Sequence, residues 1–397
     1  SDGYATKLKQ IVIARNTATD TTGGWQSYIA GAAISDGTTS IMGTITNDAL
    51  TFGTGTSIIS SVPDGQSKTY TLSVYLNQTL PVGADGKTVA FSVNPTTNLT
   101  VDSPGSAFAA AGAITSSLVV DVTVTKFIVS GDSAIVAAGA SSTVTIKATD
   151  INSNIDTDYS GVKEIIFSGA NSATSGGTTY NPTCTNYSAV DIAFGNITLM
   201  SFTSGQNTST ITMKLYKSES AAVKVKTSDA VITTLDANAL GVVVTGGAAS
   251  KLSWNIQPVA TVVANAPWSP FKVSVVDTYG NIAPSAINVT VVPTGGTLSV
   301  GATAQVATVS GIATFDNLAV YCAVYPGTVA LNATAAGVTA SGASANVTVV
   351  EKYAITMKAF DSVNGSPLTE LTLKIIDSNT GQLVTGLTNP IIGNSPF

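Results

Sequence analysis

Thr145-Ile146-Lys147-Ala148-Thr149-Asp150-Ile151-Asn152-Ser153-Asn154-Ile155 is written again, in altered letters, as Lys272-Val273-Ser274-Val275-Val276-Asp277-Thr278-Tyr279-Gly280-Asn281-Ile282, 127 residues further on. In both stretches a segment of largely alternating apolar and polar residues runs into Asp, and a short turn closes on Asn. Period two puts one face of an extended segment in a core and the other in water. Asp and Asn supply the side-chain oxygens that bond nearby backbone amides in a turn. Each copy therefore predicts a strand, a tight turn and a second strand running into a Gly-containing corner, Ser168-Gly169 or Gly295-Gly296. A weaker echo, Phe360-Asp361-Ser362-Val363-Asn364-Gly365, marks a further unit.

The same alternation continues outward from the repeat. It is present in Lys7-Leu8-Lys9-Gln10-Ile11-Val12-Ile13, in residues 68–76 and in Thr369-Glu370-Leu371-Thr372-Leu373-Lys374-Ile375. Helical spacing is nearly absent, and the Ala-rich stretch around Phe108 is bracketed by Gly105 and Gly112, which makes it a loop or short turn. Many short strands with no helices to cover a parallel sheet must bury their apolar faces sheet on sheet. The expected fold class is all-β, with tandem antiparallel β-sandwiches arranged as an elongated rod. The repeat places the units at residues 1–122, 123–247, 248–350 and 351–397. The last is short for a two-sheet core, so it is expected to be truncated or completed by a neighbouring chain.

Residues 273–281, then Gly311-Ile312-Ala313-Thr314-Phe315-Asp316-Asn317-Leu318 and Pro326-Gly327-Thr328-Val329-Ala330-Leu331, resemble the bacterial immunoglobulin-like domains of large surface proteins of the invasin and intimin kind. Asp156-Thr157-Asp158-Tyr159-Ser160-Gly161 with Phe167-Ser168-Gly169-Ala170 carries the likeness in the second unit. The first and fourth units share only the general strand pattern. The resemblance implies Ig-like sandwiches in series on an exported protein, and it leaves partner and ligand open.

Composition excludes several roles. Charged residues are 10% of the 397, against roughly 25% in an ordinary soluble domain, and Thr, Ser, Asn and Gly fill the wet positions. The chain contains no histidine, which removes the usual general base and the commonest transition-metal ligand. Triads built on His are excluded, and an enzyme is not expected. Net charge is −6 with Lys and Arg scattered singly, so nucleic acid is not an expected partner. No apolar run is long enough to span a bilayer, so no transmembrane segment is expected. The chain opens on Ser1, as it would after removal of a signal peptide or in a piece of a longer protein.

Few residues offer chemistry. Asp150, Asn152, Asn154, Asp156 and Asp158 place an oxygen at every second position, as a calcium loop does. Ile155 stands where such a loop turns on Gly, however, and Gly161 where it needs a bidentate Glu. The alternative is an Asx-type turn between strands. Sequons for N-linked glycans occur at Asn77, Asn98, Asn186, Asn196, Asn207, Asn288, Asn332, Asn346 and Asn364. Trp25 with Tyr28, Trp254, and Trp268 between two prolines either seal sandwich ends or stack on sugars. Cys184 and Cys322 are small buried hydrophobes, free thiols, or a bridge between units or subunits. Ser160-Gly161-Val162-Lys163 spells Ser-x-x-Lys, but it reads as a loop entering a strand and not as the helix start that motif needs.

These readings converge on an exported structural protein at the cell surface or outside the cell. It would self-associate into a homopolymer such as a filament, sheath or surface layer, with subunit contacts at the fourth unit and the residue 7–15 strand. The alternative is an adhesin or carbohydrate-binding module for surface glycans.

Overall fold

A computed structural model describes residues 3–102, 108 and 111–351. The unit expected after Glu351 lies outside these, with its strand at 369–375 and the sequon at Asn364. The described chain is almost entirely strand, broken by one helical turn at Pro95–Asn98 and one 3-10 turn at Asp236–Asn238. Its strands fall into three sets, and none pairs outside its own set among the described residues.

The first set comprises β1 (Thr6–Arg15), β2 (Ile29–Ser35), β3 (Ser40–Met42), β4 (Thr44–Ile45), β5 (Ala49–Phe52), β6 (Ser60–Val62), β7 (Thr71–Leu76), β8 (Thr88–Val93), β9 (Leu99–Val101) and β10 (Ile114–Val119). One layer runs β10-β8-β1-β5-β4, with β6 and β9 also on β1; the other runs β3-β2-β7. Trp25, Leu50, Phe52 and Val89 are fully buried between them. The residue 7–15 strand was expected to serve as a subunit contact. It is instead the centre of its sheet, paired with β5 and β6 along one edge and β8 and β9 along the other. A strand with both edges occupied has no backbone groups left to offer a partner.

The second and third sets share one blueprint. Lys126–Gly131 pairs antiparallel with Ser141–Thr149, the strand before the Asp turn, as Lys251–Ile256 pairs with Phe271–Val276. The chain then crosses to the other layer. There Ile135–Ala137 pairs parallel with the closing strand Leu240–Thr245, and Thr261–Val263 pairs parallel with Val347–Val350. This crossing ties the two ends of each module together across its layers. Period-two burial follows from it: in Ser141–Thr149 and Gly327–Ala335 alternate residues are buried, because one face meets the opposite sheet. Phe127, Ile146, Ile165, Phe167 and Met200 fill the second core; Phe271, Val291, Phe315 and Leu331 fill the third. Phe315 lies flat on Phe271 with ring centroids 5.1 Å apart.

Removing a buried ring leaves a hole that neighbours fill only in part. Phe315→Ala is expected to destabilise the third module by about 3–5 kcal/mol, moving its urea transition to lower concentration. The transition of the second module should hold its midpoint, which separates the two cores experimentally.

Candidate functional site

The two Asp-to-Asn turns share most of their bonding. Asp150 N–H donates to the Asn154 carbonyl at 2.9 Å and Asp277 N–H to the Asn281 carbonyl at 2.9 Å. The Asp150 carboxylate accepts from Asn154 N–H at 2.8 Å, and that of Asp277 from Tyr279 and Asn281 N–H at 2.9 Å each. The turns need one residue in the left-handed region. Gly280 takes it at φ 90°, while Ser153 takes the equivalent place at φ 73°. A side chain there is strained, and Lys126 steadies it by donating Nζ to Ser153 Oγ at 3.0 Å and to the Ile151 carbonyl at 2.9 Å.

What the turn presents is the asparagine amide. Asn154 Nδ2 donates to Asp150 Oδ2 and, at 2.8 Å, to the Gln78 carbonyl of the first module; its Oδ1 accepts from Leu80 N–H at 2.9 Å. Asn281 repeats this on the second module. Its Nδ2 donates to Asp277 Oδ2 and, at 2.7 Å, to the Tyr216 carbonyl, while Oδ1 accepts from Ser218 N–H at 2.7 Å. In each case one planar amide meets a carbonyl and an N–H two residues apart, as a neighbouring strand would.

The linkers are pinned by carboxylates. Val122 belongs to the first core and Val124 packs against the second. Their N–H groups donate to Asp85 Oδ1 at 2.8 Å and Asp156 Oδ2 at 2.9 Å. Asp85 Oδ2 also accepts from Thr157 N–H and Oγ1 across the junction, at 2.6 and 2.7 Å. At the next junction Gly247 N–H donates to Asp277 Oδ2 at 2.8 Å. Burial alone would raise Asp85. The hydrogen bonds from Thr157, Val122 and Gly86 outweigh it and hold the carboxyl below its ordinary range.

The second junction adds an aromatic lock. Tyr279 of the third module packs on the second core, with ring centroids 5.0 Å from Tyr180 and 4.9 Å from Tyr216. Gly139, at φ 79°, lets the Tyr279 ring approach so closely that a Cβ would sit 2.2 Å from its hydroxyl oxygen. Lys251 Nζ donates to Ser175 Oγ at 2.8 Å across the same seam. Burial pushes the Tyr279 phenol up, with the Tyr216 and Asp277 charges adding to it.

The remaining candidates fall as follows. Of the proposed calcium ligands, Asp150, Asn154 and Asp156 are engaged in the junction, Asp156 Oδ1 accepting from Asp158 and Tyr159 N–H. Asn152 and Asp158 are exposed. No group of three or more Cys, Asp or Glu that could hold a metal ion occurs among the described residues. Among the sequons, Asn196, Asn288 and Asn346 are exposed, and Asn77, Asn98, Asn186 and Asn332 are half-buried. Asn207 is buried: its Oδ1 accepts from Ile146 N–H at 2.7 Å and its Nδ2 donates to the Val144 and Ser209 carbonyls. A glycan there would break the second module. Trp25 and Trp268 are buried and offer no stacking face; Trp25 donates Nε1 to Asp20 at 2.8 Å. Cys184 and Cys322 are free thiols buried in separate cores, and burial pushes the Cys184 thiol far up. Ser160-x-x-Lys163 runs into the strand Gly161–Ser168, with Lys163 Nζ over the Tyr159 ring at 4.8 Å.

Period and turn chemistry located both Asp-to-Asn turns, but not what their amides reach. Asp85 carried no signal, because it lies outside the repeated frame; Thr157 lies within the stretch that carries the likeness in the second unit, but nothing there pointed to a bond with Asp85. Gly139 could have been noticed only as a glycine in a run of alanines.

No protein-family model matches the chain, and no curated protein matches it. Similar solved structures include the Yersinia pseudotuberculosis adhesin InvE (13% identity, 58% of this chain and 60% of that one, TM-score 0.24). The Escherichia coli adhesin FdeC is similar at 13% identity over 88% of this chain and 99% of that one, TM-score 0.27. Domains 4-9 of the surface layer protein SbsC match at 15% identity over 82% and 48%, TM-score 0.21. The chain thus spans about 60% of the InvE structure. TM-scores this low assign neither a common arrangement nor a role.

Two outcomes test the junctions. Asn281→Ala removes both backbone contacts and should cost the second junction about 1–2 kcal/mol, read as faster amide exchange at Ser218 with the core amides unchanged. Asp85, held below its ordinary value, contributes stability that is complete above the unfolded aspartate pKa of about 3.9 and fades as pH falls through its lower native value. Exchange at Val122 and Thr157 should therefore rise below about pH 4. In Asp85→Asn it should already be fast at neutral pH and lose that dependence.

Proposed function

We propose that this chain is a non-enzymatic structural part of a cell-surface or extracellular protein: Ig-like sandwiches in series, held at set angles by their junctions, assembling with further copies into a filament, sheath or surface layer. The observation that carries the reading is the duplicated amide bracket, in which Asn154 and Asn281 grip the preceding module through the same pair of backbone groups. A protein whose modules act independently gains nothing from fixing their relative orientation. One that transmits load or sets a repeat distance depends on it, since relative module motion is otherwise the default. The sparsely charged surface supports association as well, because copies meet with little like-charge repulsion. A sugar-binding role loses the aromatic platforms Trp25 and Trp268, both of which are buried.

Electron microscopy of the purified chain is expected to show ordered polymers, and isolated particles at every concentration would count against the assembly. Small-angle scattering should give a well-defined maximum dimension that broadens in the Asn154→Ala/Asn281→Ala double variant. Identical profiles for the two proteins would remove the support drawn from the brackets.

A further inference from the structure

Among the described residues the first module is a sandwich with one strand position open. β10 pairs, among the described residues, with β8 alone, Ile114 opposite Val93, Ser116 opposite Phe91 and Leu118 opposite Val89. Val89 and Phe91 are buried against the other layer, so the β10 residues beside them share the core-facing side. Yet every residue of β10 is exposed, Ile114 at 67% and Leu118 at 36%. In the other layer β7 pairs with β2 and carries no strand on its second edge among the described residues. Beside these two edges lies a cavity of about 520 Å³ whose lining includes Leu8, Ile13, Ile34, Leu72, Val93 and Ile114.

The chemistry of this site specifies its occupant. An open strand edge offers a row of backbone N–H and C=O groups, which an extended segment satisfies. A floor with Ile114 and Leu118 at its two ends and the small Ser116 between them, beside an apolar cavity, favours a segment with apolar side chains on the facing side. From Ile114 to Leu118 the floor runs four residues, about 13 Å at the rise of a strand. We propose that residues 369–376 of a second copy of this chain add to the β7 edge and lay Leu371, Leu373 and Ile375 over Ile114 and Leu118 and into the cavity. Those three side chains alternate with Glu370, Thr372 and Lys374 and span the same four residues. The polar set would then face water. This rests on the assembly reading above and names the surface through which copies join.

Full-length chains test it. Leu118→Lys disables the acceptor at a position already in contact with water, so folding should be unaffected by circular dichroism; Leu373→Lys disables the donor. In analytical ultracentrifugation each variant alone is expected to remain monomeric. An equimolar mixture should give a one-to-one dimer, since each supplies the half the other lacks. If wild type and both variants associate alike, this site is not the joint, while the assembly reading stands. If wild type does not associate at any concentration, the assembly reading fails, and a labelled peptide of residues 368–377 then tests the site separately. That peptide is expected to bind the full chain and to lose at least tenfold in affinity with Ile114→Lys; no binding would overturn the proposal. Amide protection of 369–376 in a monomer, lost in Leu118→Lys, would assign the site to the chain's own segment and overturn the second copy.

Discussion

One side-chain amide governs how the modules relate. Asparagine is the shortest residue that carries a peptide group at its tip, so a turn that aims it outward extends the sheet's own bonding pattern beyond the module. The aspartate four residues earlier makes this possible by holding the Nδ2 hydrogen that faces inward, which leaves the other hydrogen and Oδ1 fixed in direction. Without that anchor the amide would rotate about its last torsion and lose the two-point geometry. Everything else at the junctions, from the Asp85 carboxylate to the Tyr279 ring, elaborates a contact whose geometry is already set.

Among the described residues many carboxylates are spent on backbone. Asp20 accepts from Thr22 and Ala90 N–H, Asp132 from Thr143 N–H, Asp229 from Val231 N–H, and Asp85, Asp156 and Asp277 from the linkers. Hydrogen bonds to an ionised acceptor are stronger than neutral ones, so few charges suffice to fix many turns. A sparsely charged composition is thus compatible with well-determined loops. With charged residues only 10% of the chain, a neighbouring copy meets little like-charge repulsion.

Much of this was legible before any coordinates. Alternation placed strands over Thr143–Ala148, which the structure extends to Ser141–Thr149, and over Phe271–Val276, and the offset between Asp150 and Asp277 identified equivalent turns. The reading failed where the decisive fact was pairing. Lys7 to Ile13 looks like any amphipathic strand, and only its neighbours reveal that it lies in mid-sheet. The even spacing of oxygens from Asp150 to Asp158 suggested an ion; the segment is a turn, in which Asp150 and Asn154 bond each other and Asp156 bonds the linker, while Asn152 and Asp158 are exposed. Asn207 spelled a glycan acceptor because a sequon carries no record of burial.

The two bracket amides hydrogen-bond the module they grip through its main chain. Gln78-Thr79-Leu80 and Tyr216-Lys217-Ser218 have no residue in common, yet both meet the amide through main chain alone. The amide bonds themselves do not depend on which side chains the gripped loop carries, although at the second junction the Tyr216 ring also packs on Tyr279. Those bonds survive duplication, loss or exchange of whole units, provided only that the loop keeps its path. The amide part of the joint would pass with a whole segment, while the Asp85 to Thr157 bonds and the Tyr279 packing belong each to one junction.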